Sequence, residues 1–108
     1  MDIAFRNKKL AQSLNDSKIR DQTYGAERGK KLALRLQQLR AAANLAEFLQ
    51  VSPRTHALKG NYNGHWAIDL DGPYRLIFHP LFDETITGEA PDPLEATTAC
   101  LCEVVDYH

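Results

Sequence analysis

Between His56 and His79 the chain alternates apolar and polar residues twice, with a single turn signal in between. Trp66, Ile68 and Leu70 take every second position, Asp71-Gly72-Pro73 interrupts, and Tyr74, Leu76 and Phe78 resume the alternation. A period of two sets one face of a strand on a core and leaves the other polar. Asp-Gly between two such runs signals a turn, and Pro73 keeps either strand from running through it. The stretch reads as a β-hairpin. Because Tyr74, Leu76 and Phe78 face the core, Arg75 must face the other way, toward open sheet.

The rest of the chain supplies the cover. Ile3-Ala4-Phe5 reads as a short strand, followed by a polar helix from about Asn7 to Leu14 that Asn15-Asp16-Ser17 breaks. Thr23 or Asp21 can cap a second helix from about Tyr24 to Ala43. Its apolar positions Leu32, Leu36, Leu39 and Ala43 fall on one helical face. Each of those leucines contributes about 1.5–3 kcal/mol if buried. Gly25 and Gly29 near its start either weaken the helix or admit a close neighbour. Asn44 opens a short continuation, Leu45 to Leu49, ended by Ser52-Pro53, and Thr55 to Leu58 begins the sheet. Pro80 to Thr97, acidic and rich in Pro, Thr and Gly, reads as a surface loop. Thr98 to Val105 is nearly continuous in apolar residues, as an interior strand is. This order gives an α+β fold: N-terminal helices packed on one face of a small, mostly antiparallel β-sheet, all of residues 1–108 in one domain.

Composition excludes little beyond membrane and secreted classes. The chain is 44% apolar and 25% charged, ordinary values for a globular protein. No apolar run approaches the roughly 20 residues that span a bilayer. The start, Met-Asp-Ile-Ala-Phe-Arg, has no secretory pattern, so a cytoplasmic location is expected. Cys100 and Cys102 stand one residue apart on a strand, where a disulfide would be strained; they read as reduced core thiols. A single Cys-x-Cys lacks the paired spacing of a zinc site, and no metal or other cofactor is expected. The net charge of −1 hides an asymmetry. Residues 1–60 hold twelve Lys and Arg against five acids, a balance of +7, whereas residues 61–108 hold Arg75 against nine acids. A half this basic suits a polyanion, although solvated helix faces give the same balance.

Two groups of residues carry chemistry. One is His56, Lys59 and Gly60 at a strand end, with Arg75 on the neighbouring hairpin; the other is Asp106-Tyr107-His108 after the last strand. His65 and His79 read as structural or exposed, and Trp66 as core, because it shares the phase of Ile68 and Leu70.

The run from His56 to Gly60, then Gly64 to Ile68, Tyr74 to Phe78 and finally Asp106-Tyr107-His108 resembles the HigB branch of the RelE-type toxins of bacterial toxin–antitoxin pairs. The likeness covers most of residues 1–79 and the last strand. It implies helices on a small antiparallel sheet, in agreement with the pattern above. It also implies a ribonuclease that cuts messenger RNA in the ribosome without a metal. The implied partners are a cognate helix-turn-helix antitoxin, the ribosome and its message, and operator DNA only through the antitoxin complex. Position by position, it assigns His56, Asp106, Tyr107 and His108 to catalysis, and Lys59 and Arg75 to phosphate binding. Histidine suits either proton transfer near neutral pH, and cations suit charge gathering on phosphate oxygens. The acidic segment from Pro80 to Thr97 is expected to sit away from the RNA. Two other readings remain: a non-catalytic toxin of the same fold that binds and inhibits DNA gyrase, and a degenerate module that only binds its antitoxin.

Overall fold

A run of short helices, each opened by a small polar residue or a glycine, precedes nearly all of the sheet. In the computed structural model, which describes residues 1–81 and 92–106, the order is β1 (Asp2–Phe5), α1 (Lys8–Asn15), α2 (Ser17–Tyr24), α3 (Ala26–Ala41), α4 (Leu45–Val51), β2 (Thr55–Ala57), β3 (Trp66–Asp69), β4 (Tyr74–Leu81) and β5 (Thr98–Asp106). Asn7 caps α1 by accepting from Leu10 N, and Asn44 caps α4 by accepting from Glu47 N.

The expected long helix forms as α3, and a further helix, α2, precedes it where no helix was expected. Asp16 starts α2, accepting from Lys18 N and Ile19 N, so Asp21 and Thr23 lie inside α2 and cap nothing. Gly25, at φ 87°, ends α2 and begins α3, a left-handed backbone that costs glycine little. Gly29 admits a neighbour: a Cβ there would collide with the Asp21 carboxylate, so α2 packs on α3 at that point. The helix also stops sooner than its pattern suggests. It ends at Ala41, with Ala42 buried and Ala43 exposed.

The five strands are ordered β1-β5-β4-β3-β2, with β1–β5 parallel and the other pairs antiparallel. The hairpin forms as its pattern demands, with Ile68 opposite Leu76, Asp69 opposite Arg75, and Gly72 at φ 54° in the turn. β5 lies inside the sheet as expected, and β4 runs through Pro80 to Leu81, two residues into the segment read as loop.

Leu10, Leu14, Leu32, Leu36, Leu39, Leu45 and Phe48 from the helices meet Ile68, Leu76, Phe78, Ala99 and Leu101 from the sheet. Phe48 sets its edge on Phe78 at 6.3 Å, and half-buried Trp66 packs against the same core. Ala67 and Ile77 are buried too, but they lie on the opposite face and outside this cluster. So does Cys100, opposite His79, whereas Cys102 sits at the irregularity where β5 skips a partner and lines a groove beside α1 and α2; both are half-buried free thiols, not core residues. Burial pushes the Cys102 thiol up from its ordinary pKa. No described helix is long and apolar enough to cross a membrane.

Candidate active site

Strand pairing decides which polar residues share the far face. The register Asp69–Arg75 and Ala67–Ile77 continues outward to β2, where His56 stands opposite Ala67. It continues inward to β5, where Val105 stands opposite Arg75 and Glu103 opposite Ile77. Side chains at paired positions point the same way, so His56, Asp69, Arg75 and Glu103 all rise from the face opposite the helices.

Asp69 is the centre of this arrangement. Its side chain is 12% exposed, yet three cationic or potentially cationic groups converge on it. Arg75 Nε stands 2.6 Å from Oδ1, in charge contact but not aligned as a hydrogen bond. Arg54 Nε donates to Oδ2 at 3.3 Å, and His56 Nε2 lies 3.6 Å from the same oxygen. A carboxylate this buried needs compensation, and the arginines on either side supply it. The path of the chain helps, since Asp69 N donates to Arg54 O and holds the start of β2 beside the end of β3. Before that corner, buried Ser52 and Thr55 satisfy each other through their hydroxyls at 3.0 Å. Arg75 is pinned further by donating Nη1 to Gly72 O and Tyr74 O, and its Nη2 has no partner among the described residues. The His56 side chain is 58% exposed.

The structure therefore brings His56 and Arg75 onto one patch through two residues that the pattern analysis did not single out, Asp69 and Arg54. Asp69 was legible only as one more polar position alternating with Ile68 and Leu70; its three partners appear once the strands are paired. Lys59 stands three residues beyond His56, about 10 Å along the strand direction, where it is exposed at the start of the 3₁₀ turn Gly60–Tyr62. Asp106 is exposed at the end of β5, opposite Tyr74. That puts it at the same end of the sheet as Arg75, but in the helix-side row. Tyr107 and His108 lie outside the described residues, as does most of the acidic segment. Among the described residues no three His, Cys, Asp or Glu side chains are grouped to hold a metal ion.

At Asp69 itself two arginines face one carboxylate beside an exposed imidazole, while Glu103, in the next row of the same face, is taken up by Tyr62. Such a patch can hold a phosphodiester and offer it a proton-transfer group. A separate groove of about 740 Å³ opens between α1, α2 and β5, lined in part by Arg6, Lys9, Ile19 and Tyr24; His56, Asp69 and Arg75 do not line it.

Comparison with known proteins agrees with the fold and the motif. The structure is similar over 100% of its length to a YoeB/ParE toxin from Agrobacterium tumefaciens, covering 99% of that chain, with a TM-score of 0.55 and 12% identity. Its sequence matches no curated protein. Residues 3–89 match the family model of HigB-like toxins, the RelE-like toxins of type II toxin–antitoxin systems. With the match spanning most of the chain, including the hairpin and its ionic patch, this protein belongs to the HigB-like toxin family, and an antitoxin partner goes with that membership.

Proposed function

We propose that this toxin is an endoribonuclease that cuts messenger RNA on the translating ribosome by general acid/base catalysis, independently of a metal, and is silenced by its cognate antitoxin. The observation that carries the reading is the convergence of His56 and Arg75 on Asp69, with two arginines facing that one carboxylate, on the sheet face the helices leave alone. On that patch Arg75 and Arg54 take the phosphate, and Lys59 takes a neighbouring one. A base removes the proton from the 2′-hydroxyl, the 2′-oxygen attacks phosphorus, and the bond from phosphorus to the 5′-oxygen breaks. An acid returns a proton to that leaving oxygen, giving a 2′,3′-cyclic phosphate and a 5′-hydroxyl. Charge on the non-bridging oxygens rises in between, and the guanidinium of Arg75 meets it. His56 is one proton-transfer group and His108 the other, with Asp106 and Tyr107 beside it in sequence to orient it and to stack on an unpaired base. The basic half of the chain docks on ribosomal RNA, where phosphate contacts set position.

The test is induced expression in growing cells with message 5′-ends mapped, comparing wild type with His108→Gln. Wild type should create new 5′-ends, and the variant should make about 10²–10⁴-fold fewer. No new ends from wild type would remove the nuclease reading and leave a toxin that acts by binding, on gyrase for example. Unchanged cleavage by a folded His108→Gln would remove His108 from the chemistry.

A further inference from the structure

The nuclease reading uses the far face at its turn end and leaves three rings at the other end unexplained. Rows on that face repeat every two residues, about 7 Å apart. Asp69 and Arg75 form the first row, and His56, Ala67, Ile77 and Glu103 the second. The third holds His65 and His79, with Cys100 opposite His79. His56 thus stands one row from the phosphate-binding arginine and one row from the histidine pair.

The rings are held in place. His79 sets its edge against His65 at 4.7 Å and 76°, and His65 stands edge-on to Tyr62 at 6.1 Å and 86°. Tyr62, from the turn before β3, donates its hydroxyl to Glu103 on β5 at 3.0 Å. Its side chain therefore reaches over β3 and β4 and covers part of the Ala67–Ile77 row. All three rings are only half buried. His79 Nδ1 lies 2.7 Å from Pro80 O; a carbonyl only accepts, so Nδ1 carries the proton and neutral His79 presents Nε2 as an acceptor. Beside that nitrogen is Gly64, at φ 86°. A Cβ there would have His79 Nε2 at 3.9 Å and, beyond its chain neighbours, nothing else within 4 Å among the described residues.

We propose that Tyr62, His65 and His79 form a nucleobase-binding subsite for the nucleotide adjoining the scissile phosphate, a proposal that rests on the nuclease reading. The base stacks on the ring group, as bases splayed out of single-stranded RNA do on aromatic and imidazole planes. His79 Nε2 accepts from a donor on the base edge, a ring N–H or an exocyclic amino group, at the position over Gly64. Lys59, three residues before Tyr62, takes the phosphate on the far side of that nucleotide.

The experiment measures cleavage of a message programmed into ribosomes by wild type, His65→Leu, His65→Phe, His79→Leu and Arg75→Ala, each with its melting temperature. His65→Leu keeps the bulk and loses the stacking plane; it should raise KM roughly 5- to 150-fold with kcat nearly unchanged, the range measured for a lost base–aromatic stack. His65→Phe should restore the wild-type KM, and His79→Leu should raise KM through loss of the hydrogen bond to the base edge. A wild-type KM for His65→Leu, or a Phe variant as poor as the Leu variant, overturns the subsite. If Arg75→Ala abolishes cleavage while the histidine variants cut normally, the nuclease reading stands and the subsite alone falls; if wild type cuts nothing, both fall. Should the histidine variants not fold, the imidazole C–H signals of wild type are followed while a 2′-O-methylated tetranucleotide is added. Movement of the His65 and His79 signals supports the subsite, and static signals overturn it.

Discussion

Asp69 and Asp71 stand two residues apart, one at the end of β3 and one in the turn after it, and each faces arginine. Asp71 meets Arg28 in a two-point pair of 2.9 and 3.1 Å, with the Lys31 charge farther off, and the same guanidinium lies 3.3 Å from the centre of the Tyr74 ring and donates to Tyr24 O. That clamp is closed: one cation, one carboxylate and one ring tie α3 to the hairpin turn. The Arg28 hydrogen bond holds the Asp71 carboxyl below its ordinary range. Asp69 is more deeply buried and is shared among Arg54, His56 and Arg75. There the cations outnumber the anion and one imidazole is mostly exposed. A matched pair completes the fold, whereas an unmatched excess of positive charge leaves room for an anion brought from outside.

If that distinction holds, damage at the two carboxylates should separate into lost chemistry and lost stability. The largest effect is expected from Arg75→Ala: cleavage of translated message should fall about 10²–10³-fold, as when one donor to developing charge is removed. An equal loss on changing Arg28 would break the comparison. Next is Asp69→Asn, which frees the arginines and His56 from their common anchor. Cleavage should drop about 10- to 100-fold from lost alignment, while the log–log slope of ribosome binding against salt steepens by about one. Unaltered cleavage would make Asp69 a bystander.

Arg28→Ala should lower stability by about 1 kcal/mol in urea unfolding, since the pair and its ring contact are partly exposed, and should leave cleavage unchanged. The smallest effect is in the acid limb of stability. The folded-state pKa of Asp71 is depressed, so its contribution is complete above the unfolded value near 3.8 and is lost as pH falls through the lower folded value. Asp71→Asn should therefore flatten the stability curve below about pH 4 relative to wild type. Parallel curves there would show that the clamp carries no charge-dependent stability.

The two faces of the sheet were not equally legible. On the helix side, period-two spacing in the hairpin and the Leu32, Leu36, Leu39 spacing in α3 report burial directly, and those residues form the core. Helix α2 escaped notice because it buries no residue and has no apolar stripe; its role is to pack at Gly29, which only three-dimensional contact reveals. On the far side, His56 and Arg75 could be picked as chemistry-bearing residues from their types and the family motif. Asp69 could not, because a carboxylate in a strand looks solvated until its cross-strand neighbours are known. His65 and His79 read as incidental for the same reason: their contact crosses two strands, and residue spacing holds no record of it.

Local order in this chain was written in the sequence, since apolar period, capping residues and turn glycines act over a few neighbours. What the sequence could not carry is which distant side chains share a row. The antiparallel register of β2, β3, β4 and β5 decides that, and it alone sets His56 and Arg75 around Asp69 and sets His65 against His79. Charges and rings interact through space over a few ångströms, so their meaning waits on the pairing that brings them within reach.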